Sequence, residues 1–378
     1  MSGHGARIVT VKPATAVTEW HIAAKIPSCT LYEAGLYGYR VRGVEWSDEC
    51  LWSLVETGAL ECIGDCSVLR SCHGYVLGSS SLVTRCGGSI AKLYLVQPSN
   101  LEAELLAILG PSRLVPGIAA RLVYRGETIG IVEERLSGEP LAAKASRELR
   151  SYAEGVERIE VLPLAARILA SVHTWLKPLR EECIVEPGKR IAWYLQRLPQ
   201  SLAEKLATLH TRIMGAEKTS NYLVLCQPVH QDPHLYQFLG TNTDALLIDF
   251  SGEPLRAHIG GPYEPPLRDV AVLLRSASYV AAMAINNVAQ GGQGRGSLVS
   301  RAVEWLEHSV HDALETYLAH NILEDPGTEL SLLPILVLER LVYEAWYEYL
   351  YGTGLLRVVL AVLHEPRLLP ELGTILRR

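Results

Sequence analysis

Two short polar segments hold the residue types that phosphate chemistry needs. The first is His230-Gln231-Asp232-Pro233-His234-Leu235-Tyr236-Gln237, and the second is Leu246-Leu247-Ile248-Asp249-Phe250. Phosphoryl transfer asks a protein mainly for positioning and charge neutralisation: a carboxylate to orient the attacking hydroxyl, and oxygen ligands for a cation across the transferring phosphates. Asp232 supplies the carboxylate. Gln237 and Asp249 supply oxygen donors of the kind that suits a hard cation such as Mg2+, which keeps waters and triphosphate oxygens as its other ligands. The stretch Gly240-Thr241-Asn242-Thr243-Asp244 reads as a turn between two short strands, so a hairpin can bring the three side chains together. A zinc site built on His230 and His234 would want a further ligand at short helical spacing or a third clustered histidine, and the neighbourhood has neither.

Elements on either side must position this loop. From Ser67 to Leu95 the chain reads as three short strands, Gly74–Leu77, Leu82–Cys86 and Ile90–Val96, divided by Gly and Ser clusters. A helix over Leu101–Leu109 follows, with Leu101, Leu105 and Ile108 on one face and Gly110-Pro111 as its stop. Strands over Ala119–Tyr124 and Thr128–Glu133 complete a β-rich region. Beyond Gly138-Glu139-Pro140 the period becomes helical: Val161–Leu176, Ile191–Leu206 with a break at Pro199, Asp269–Asn286, Leu298–Leu318 and Leu332–Tyr351. Tyr222–Val229 and the hairpin interrupt these helices as a β insertion. Before residue 65, strand-like runs at Ala6–Val11 and Leu36–Val41 precede a helix near Asp48–Glu56, with no readable chemistry.

At this point the chain resembles the maltokinase family, a branch of the aminoglycoside-phosphotransferase-like kinases. Val229–Gln237 is similar to that family's His-Gly-Asp-x-His-Leu-Gly-Gln pattern, and Asp249-Phe250-Ser251-Gly252-Glu253-Pro254 to its Asp-Phe-Glu-Gly-Glu-Pro. Pro266-Leu267-Arg268-Asp269-Val270-Ala271 with Leu274-Arg275-Ser276, and Val342-Tyr343-Glu344 with Tyr347-Glu348, resemble two further stretches. The resemblance implies an α+β, bilobal protein-kinase-like fold: a cap over residues 1–65, a β-rich nucleotide-binding lobe over 66–136 and a helical lobe over 137–378. It implies a kinase using ATP and Mg2+, with Asp232 catalytic and Gln237 and Asp249 on the metal. Lys92 and Glu104 look like the nucleotide-binding lysine and its helix glutamate, a pairing that fixes the ammonium for the α- and β-phosphates. Ser79, Ser80 and Ser81 stand where the family's phosphate-covering loop lies, and Glu133 and Glu134 where adenine meets the backbone. Asp269 reads as a support for the catalytic loop, and His173 as structural.

The acceptor is less constrained. On the C-terminal helix, Glu344, Tyr347 and Glu348 share a face with other aromatics, a mixture that suits sugar hydroxyls and C–H faces, and His234 joins them as a candidate substrate contact. Maltose is the acceptor that the family implies. The departures cluster on that side: Gln231 replaces a glycine, Ser251 an acid, and Ile259-Gly260-Gly261 basic residues. An amino sugar such as glucosamine, or another small alcohol, is the alternative; a pseudokinase that only holds nucleotide or sugar is the reading of another class.

Composition excludes several other functions. The chain has 378 residues, 48% apolar and 20% charged, and a formal charge of −6, which argues against a broad nucleic-acid footprint. Met1–Pro13 lacks a signal-peptide core and apolar runs such as Leu355–Leu363 are too short to span a bilayer, so a cytoplasmic protein is expected. Six of the eight cysteines precede residue 87. The gap between Cys62 and Cys66 does not match a zinc knuckle, and ordinary reduced thiols are expected unless the source is a hyperthermophile.

Overall fold

The computed structural model describes residues 8–10, 17, 19–36, 39–78, 80–98, 101–214, 221–241, 244–253, 261–288, 295–352 and 354–364. The chain divides into two compact units, Met1–Leu136 with Asp249–Gly261, and Ser137–Ile248 with Pro262–Arg378.

The first unit is β-rich. Strands β1 (His21–Ile26), β2 (Cys29–Leu36) and β3 (Tyr39–Glu45) form an antiparallel meander, followed by helix α1 (Cys50–Glu56). A six-stranded antiparallel sheet is built from β4 (Glu61–Gly64), β5 (Cys72–Leu77), β6 (Ser81–Cys86), β7 (Ser89–Tyr94), β8 (Ile118–Tyr124) and β9 (Glu127–Glu134), in the order β4-β8-β9-β7-β6-β5. Helix α2 (Glu102–Leu109) connects β7 to β8. The run Leu36–Val41, read as one strand, instead spans the end of β2 and the start of β3, which pair antiparallel with Leu36 opposite Tyr39. Of the run Ala6–Val11, only 8–10 lie among the described residues, where Val9 bridges Val44.

The meander is tied to the strand that carries Lys92. Arg42 N–H donates to Leu95 O at 2.7 Å and Gln97 N–H to Arg40 O at 2.9 Å. The fully buried Arg42 guanidinium reaches Glu33 at 2.9 Å and Glu127 at 3.0 Å. A buried guanidinium held by two carboxylates from different strands fixes register, since losing either partner leaves a desolvated charge.

The cysteines depart from the expectation of reduced thiols. All eight are paired: Cys29 with Cys50, Cys62 with Cys66, Cys72 with Cys86, and Cys183 with Cys226. Zinc-type spacing was a poor guide because strand register, not sequence distance, sets two of these pairs. Cys72 and Cys86 are direct cross-strand partners of β5 and β6, and Cys183 and Cys226 lie on adjacent strands of the second unit.

The second unit is mostly helical. Its elements are β10 (Glu139–Pro140), α3 (Leu141–Ala153), α4 (Val161–Leu176), β11 (Glu181–Val185), α5 (Pro187–Leu195), α6 (Gln200–Met214), β12 (Tyr222–Pro228), β13 (Phe238–Gly240), β14 (Ala245–Leu247), β15 (Tyr263–Glu264), α7 (Leu267–Val288), α8 (Arg295–Leu318), α9 (Pro326–Tyr351) and α10 (Leu356–His364). Pro199 separates α5 from α6, as its missing N–H and fixed φ require. The strands β13 and β14 pair with Gly240 opposite Ala245, which makes the hairpin.

Helix α9 is buried over most of its length and forms the unit's core with α5 and α7. Tyr343 and Trp346 pack edge-on or tilted against Tyr194 and Trp193, at centroid separations of 5.3 to 5.7 Å. Both are 2% exposed, so these aromatics fill the core rather than line a groove. No helix among the described residues is long and apolar enough to cross a membrane.

Candidate active site

Within the first unit, alternation along β7 points Lys92 to the same sheet face as Ile90, and its side chain is 5% exposed. Lys92 Nζ donates to both oxygens of Glu102, at 3.0 and 3.1 Å, and contacts the Asp249 carboxylate. Tyr94 O–H also donates to Glu102, at 2.6 Å. Burial alone would lower the lysine's pKa, but the charges of Asp249 and Glu102 outweigh it and push the group up, so Lys92 is a fixed cation.

The partner of Lys92 is therefore Glu102 and not Glu104. Residues two apart on a helix point about 200° apart. Glu102, the first residue of α2, faces the sheet, while Glu104 is 44% exposed and pairs with Arg121 at 3.2 Å. The sequence offered both acids at the same helix start, and only knowledge of the buried face separates them. Glu102→Gln is expected to raise the KM for nucleotide about tenfold, the loss of one charge-assisted bond, whereas Glu104→Gln stays within about twofold of wild type, as exposed pairs do. Steady-state kinetics on the two variants checks this.

The proposed phosphate-covering serines divide. Ser79 lies outside the described residues, as do Ile259 and Gly260. Ser80 O accepts from Leu95 and Val96 N–H at 2.8 and 2.9 Å, and Ser81 O accepts from Gly78 N–H at 2.8 Å, so these backbones close the turn before β6. Glu134 N–H is taken by Gly117 O at 2.8 Å, which removes that donor from any adenine contact. Asp249, at φ 63°, accepts from Ser251 Oγ at 2.9 Å and has a 38% exposed side chain.

In the second unit, the segment from Val229 to Gln237 hangs between β12 and β13 on a buried polar lattice. Asp269, at the first turn of α7, accepts His230 N–H on Oδ2 and Gln231 N–H on Oδ1, both at 2.7 Å. His173 Nε2 reaches the same Asp269 Oδ2 at 3.0 Å while its Nδ1 meets Tyr317 O–H at 2.7 Å. Gln231 sits at φ 72°, in the left-handed region that costs a non-glycine residue about 1–2 kcal/mol. The two hydrogen bonds to Asp269 hold the loop in that conformation.

His230 clamps the loop from the other side. Its Nδ1 accepts from Asp232 N–H at 3.2 Å and its Nε2 donates to Ile248 O at 2.8 Å, which uses both ring nitrogens structurally. Gln237 O in turn accepts Ile248 N–H at 2.9 Å. Asp249 is the next residue in the chain.

Asp232 is held by its own surroundings. Oδ1 pairs with Arg340 Nη2 of α9 at 2.8 Å, and Oδ2 lies 3.8 Å from His234 Nε2. Arg340 Nε donates to Glu344 at 3.0 Å, and Arg275 donates to the other Glu344 oxygen at 3.1 Å. Glu344, expected to accept sugar hydroxyls, is thus a buried counter-ion between two arginines. Glu348 is buried too, and its Oε2 accepts Leu355 N–H at 2.9 Å, closing the turn after α9. Tyr347 is half-buried and stacks on Tyr351 at 4.3 Å. Arg340 had no motif to announce it; the only signal was its spacing of four residues before Glu344 on a helix.

No family model matches the chain. Among solved structures it is similar to a glucosamine kinase in complex with glucosamine, ADP and inorganic phosphate, with a TM-score of 0.65 at 14% identity over 92% of this chain and 94% of that one. Crystal form B of a glucosamine kinase gives a TM-score of 0.65 at 17% identity, over 94% of this chain and 97% of that one. At these identities the likeness is one of fold, and the chain has the α+β fold of a small-molecule kinase, β-rich in its N-terminal region and helical in its C-terminal region.

Proposed function

We propose that the protein is an ATP- and Mg2+-dependent kinase that transfers the γ-phosphate to a hydroxyl of a sugar, with an amino sugar as the favoured acceptor. The observation that carries the reading is the pair of arrangements just described: a buried lysine fixed by Glu102 and Asp249, and Asp232 held on a loop by Asp269, His230 and Arg340. Lys92 would neutralise phosphate charge. Asp232 would accept the hydrogen bond of the acceptor hydroxyl, orient its lone pair toward phosphorus and take its proton as the bond forms. Arg340 beside Asp232 favours the ionised carboxylate, which is the form that can accept.

Magnesium fits the donors present. Gln237 and Asp249 offer hard oxygen, and the Asp249 side chain is far more exposed than Lys92 or Glu102. When bound, the ion would supply charge neutralisation across the phosphates. Lys92, Glu102, Glu133 and the serine turn would belong to the nucleotide side, with His234 and Tyr347 on the acceptor side.

An amino sugar is favoured because the similar structure is a glucosamine kinase carrying glucosamine and ADP; maltose rests on the motif resemblance. In this reading the Arg340 guanidinium next to Asp232 would repel an ammonium, so the acceptor's amine would lie on a carbon remote from the phosphorylated hydroxyl. ATP use points to the cytoplasm, and four disulfides there point to a hyperthermophilic cell, where intracellular proteins keep them. The test is an ADP-release screen of glucosamine, glucose and maltose with Mg2+ and ATP, followed by location of the phosphate on the product. Turnover with glucosamine above the other two is expected; negligible turnover with every acceptor would overturn the reading.

A further inference from the structure

Arg340 pairs with Asp232, and a line of alternating charge runs on behind it within the second unit. Asp232 meets Arg340 at 2.8 Å, Arg340 meets Glu344 at 3.0 Å, and Glu344 meets Arg275 of α7 at 3.1 Å. Arg275 is fully buried, and Arg340 and Glu344 are each 7% exposed. The Asp232 side chain is 16% exposed, so the line leads from the helical core out to the loop carboxylate.

In the reaction proposed for this site Arg340 contributes only its charge. The contacts behind it fix its orientation as well. A guanidinium is planar and rigid, so the bond from Nε to Glu344 Oε1 sets the direction in which Nη2 points. Glu344 and Arg340 stand four residues apart on α9, the spacing at which a helix brings two side chains together. The Arg340 guanidinium also lies 5.0 Å from the Tyr343 ring centroid, and that of Arg275 lies 5.6 Å from the Tyr279 ring centroid, so each plane has an aromatic neighbour. Glu344 is gripped on its second oxygen by Arg275, and it is therefore anchored to α7 and not to α9 alone.

We propose that Glu344, anchored by Arg275, is a positioning residue for Asp232: by holding Nε of Arg340 it sets how the guanidinium meets the carboxylate, and so how Asp232 faces the acceptor hydroxyl. This rests on the kinase reading. An arginine free to turn takes a carboxylate with two parallel bonds, the fork that suits both groups best. With Nε committed to Glu344, that grip on Asp232 is blocked. A carboxylate held in the fork would turn its lone pairs to the guanidinium and away from the acceptor.

The experiment is steady-state kinetics on the whole protein with ATP, Mg2+ and whichever of glucosamine, glucose and maltose turns over fastest. Wild type is compared with Glu344→Gln, with Arg340→Lys, and with each of these combined with Asp232→Asn, beside a melting curve for every variant. Glu344→Gln keeps the size of the side chain and removes its charge, whereas Arg340→Lys keeps the charge and removes the planar fork. Each is expected to lower kcat about tenfold or more, the cost of a misaligned reacting group, with both KM values within about twofold of wild type. In the Asp232→Asn background each should change kcat by less than about twofold, because a residue that acts through Asp232 has nothing left to align. A contribution to folding alone would add in full to the Asp232→Asn loss. If Glu344→Gln does not fold, Arg340→Lys and its combination with Asp232→Asn decide the matter. Unchanged kcat in either single variant, additive losses, or a raised acceptor KM at constant kcat would overturn the proposal and leave the kinase reading standing. A wild-type protein that turns over none of the three acceptors would overturn both.

Discussion

Asp232→Asn is expected to lower kcat about a thousandfold, the range of a lost proton acceptor, with the KM for nucleotide unchanged. Asparagine keeps the size of the side chain and an oxygen that can still face Arg340, but it cannot take the hydroxyl proton. The loss corresponds to about 4 kcal/mol of transition-state stabilisation. Arg340 retains Glu344 at 3.0 Å, so the variant should fold and melt close to wild type. Coupled-assay kinetics with a fixed acceptor, beside a melting curve, separates chemistry from stability. A fall in kcat with nucleotide KM held constant identifies a group acting on the acceptor; a parallel rise in nucleotide KM would assign Asp232 to the other substrate.

Asp269→Ala should have the largest effect on folding. Its two oxygens satisfy two buried backbone N–H groups and the ring of His173, all fully buried or nearly so. Removing the carboxylate strands both donors at about 1–3 kcal/mol each, so a loss of about 3–5 kcal/mol is expected, measured by chemical denaturation. Gln231 is at φ 72° and would be the first residue to relax once its N–H is released. Activity should therefore fall further than the folded fraction does, because the loop carrying Asp232 depends on that conformation. Asp269→Asn is the milder companion, since it keeps one acceptor oxygen.

How much of this was legible in the sequence depends on the length scale of each feature. The long helices, the break at Pro199 and the hairpin after Gln237 follow from local period and turn chemistry, although α6 runs on to Met214 past the expected Leu206 and α9 begins at Pro326, ahead of the expected Leu332. The loop polarity around Asp232 was legible because its spacing is short. The partner of Lys92 was not, since the choice between Glu102 and Glu104 turns on which helix face the sheet covers. The partners of Glu344 and Glu348 were hidden for a related reason: an acid on an aromatic-rich helix looks the same whether it meets a ligand or a buried arginine, and α9 is buried on nearly all sides. Two of the disulfides were hidden because they join neighbouring strands, Cys72 to Cys86 and Cys183 to Cys226, and strand pairing is not written in cysteine spacing. Arg340 gave no motif at all; its interest comes from what lies beside it, Asp232 and Glu344.

With every cysteine paired, the folded protein has no thiol to start exchange. Disulfide reshuffling needs an attacking thiolate, and a chain heated in the absence of added reductant lacks one. The four links would therefore pass through an unfolding cycle as a fixed covalent pattern, returning each linked segment to its own partner on cooling. Scrambling started by a free cysteine of the chain itself, a common fate of proteins that mix free and bonded cysteines, is closed to this molecule.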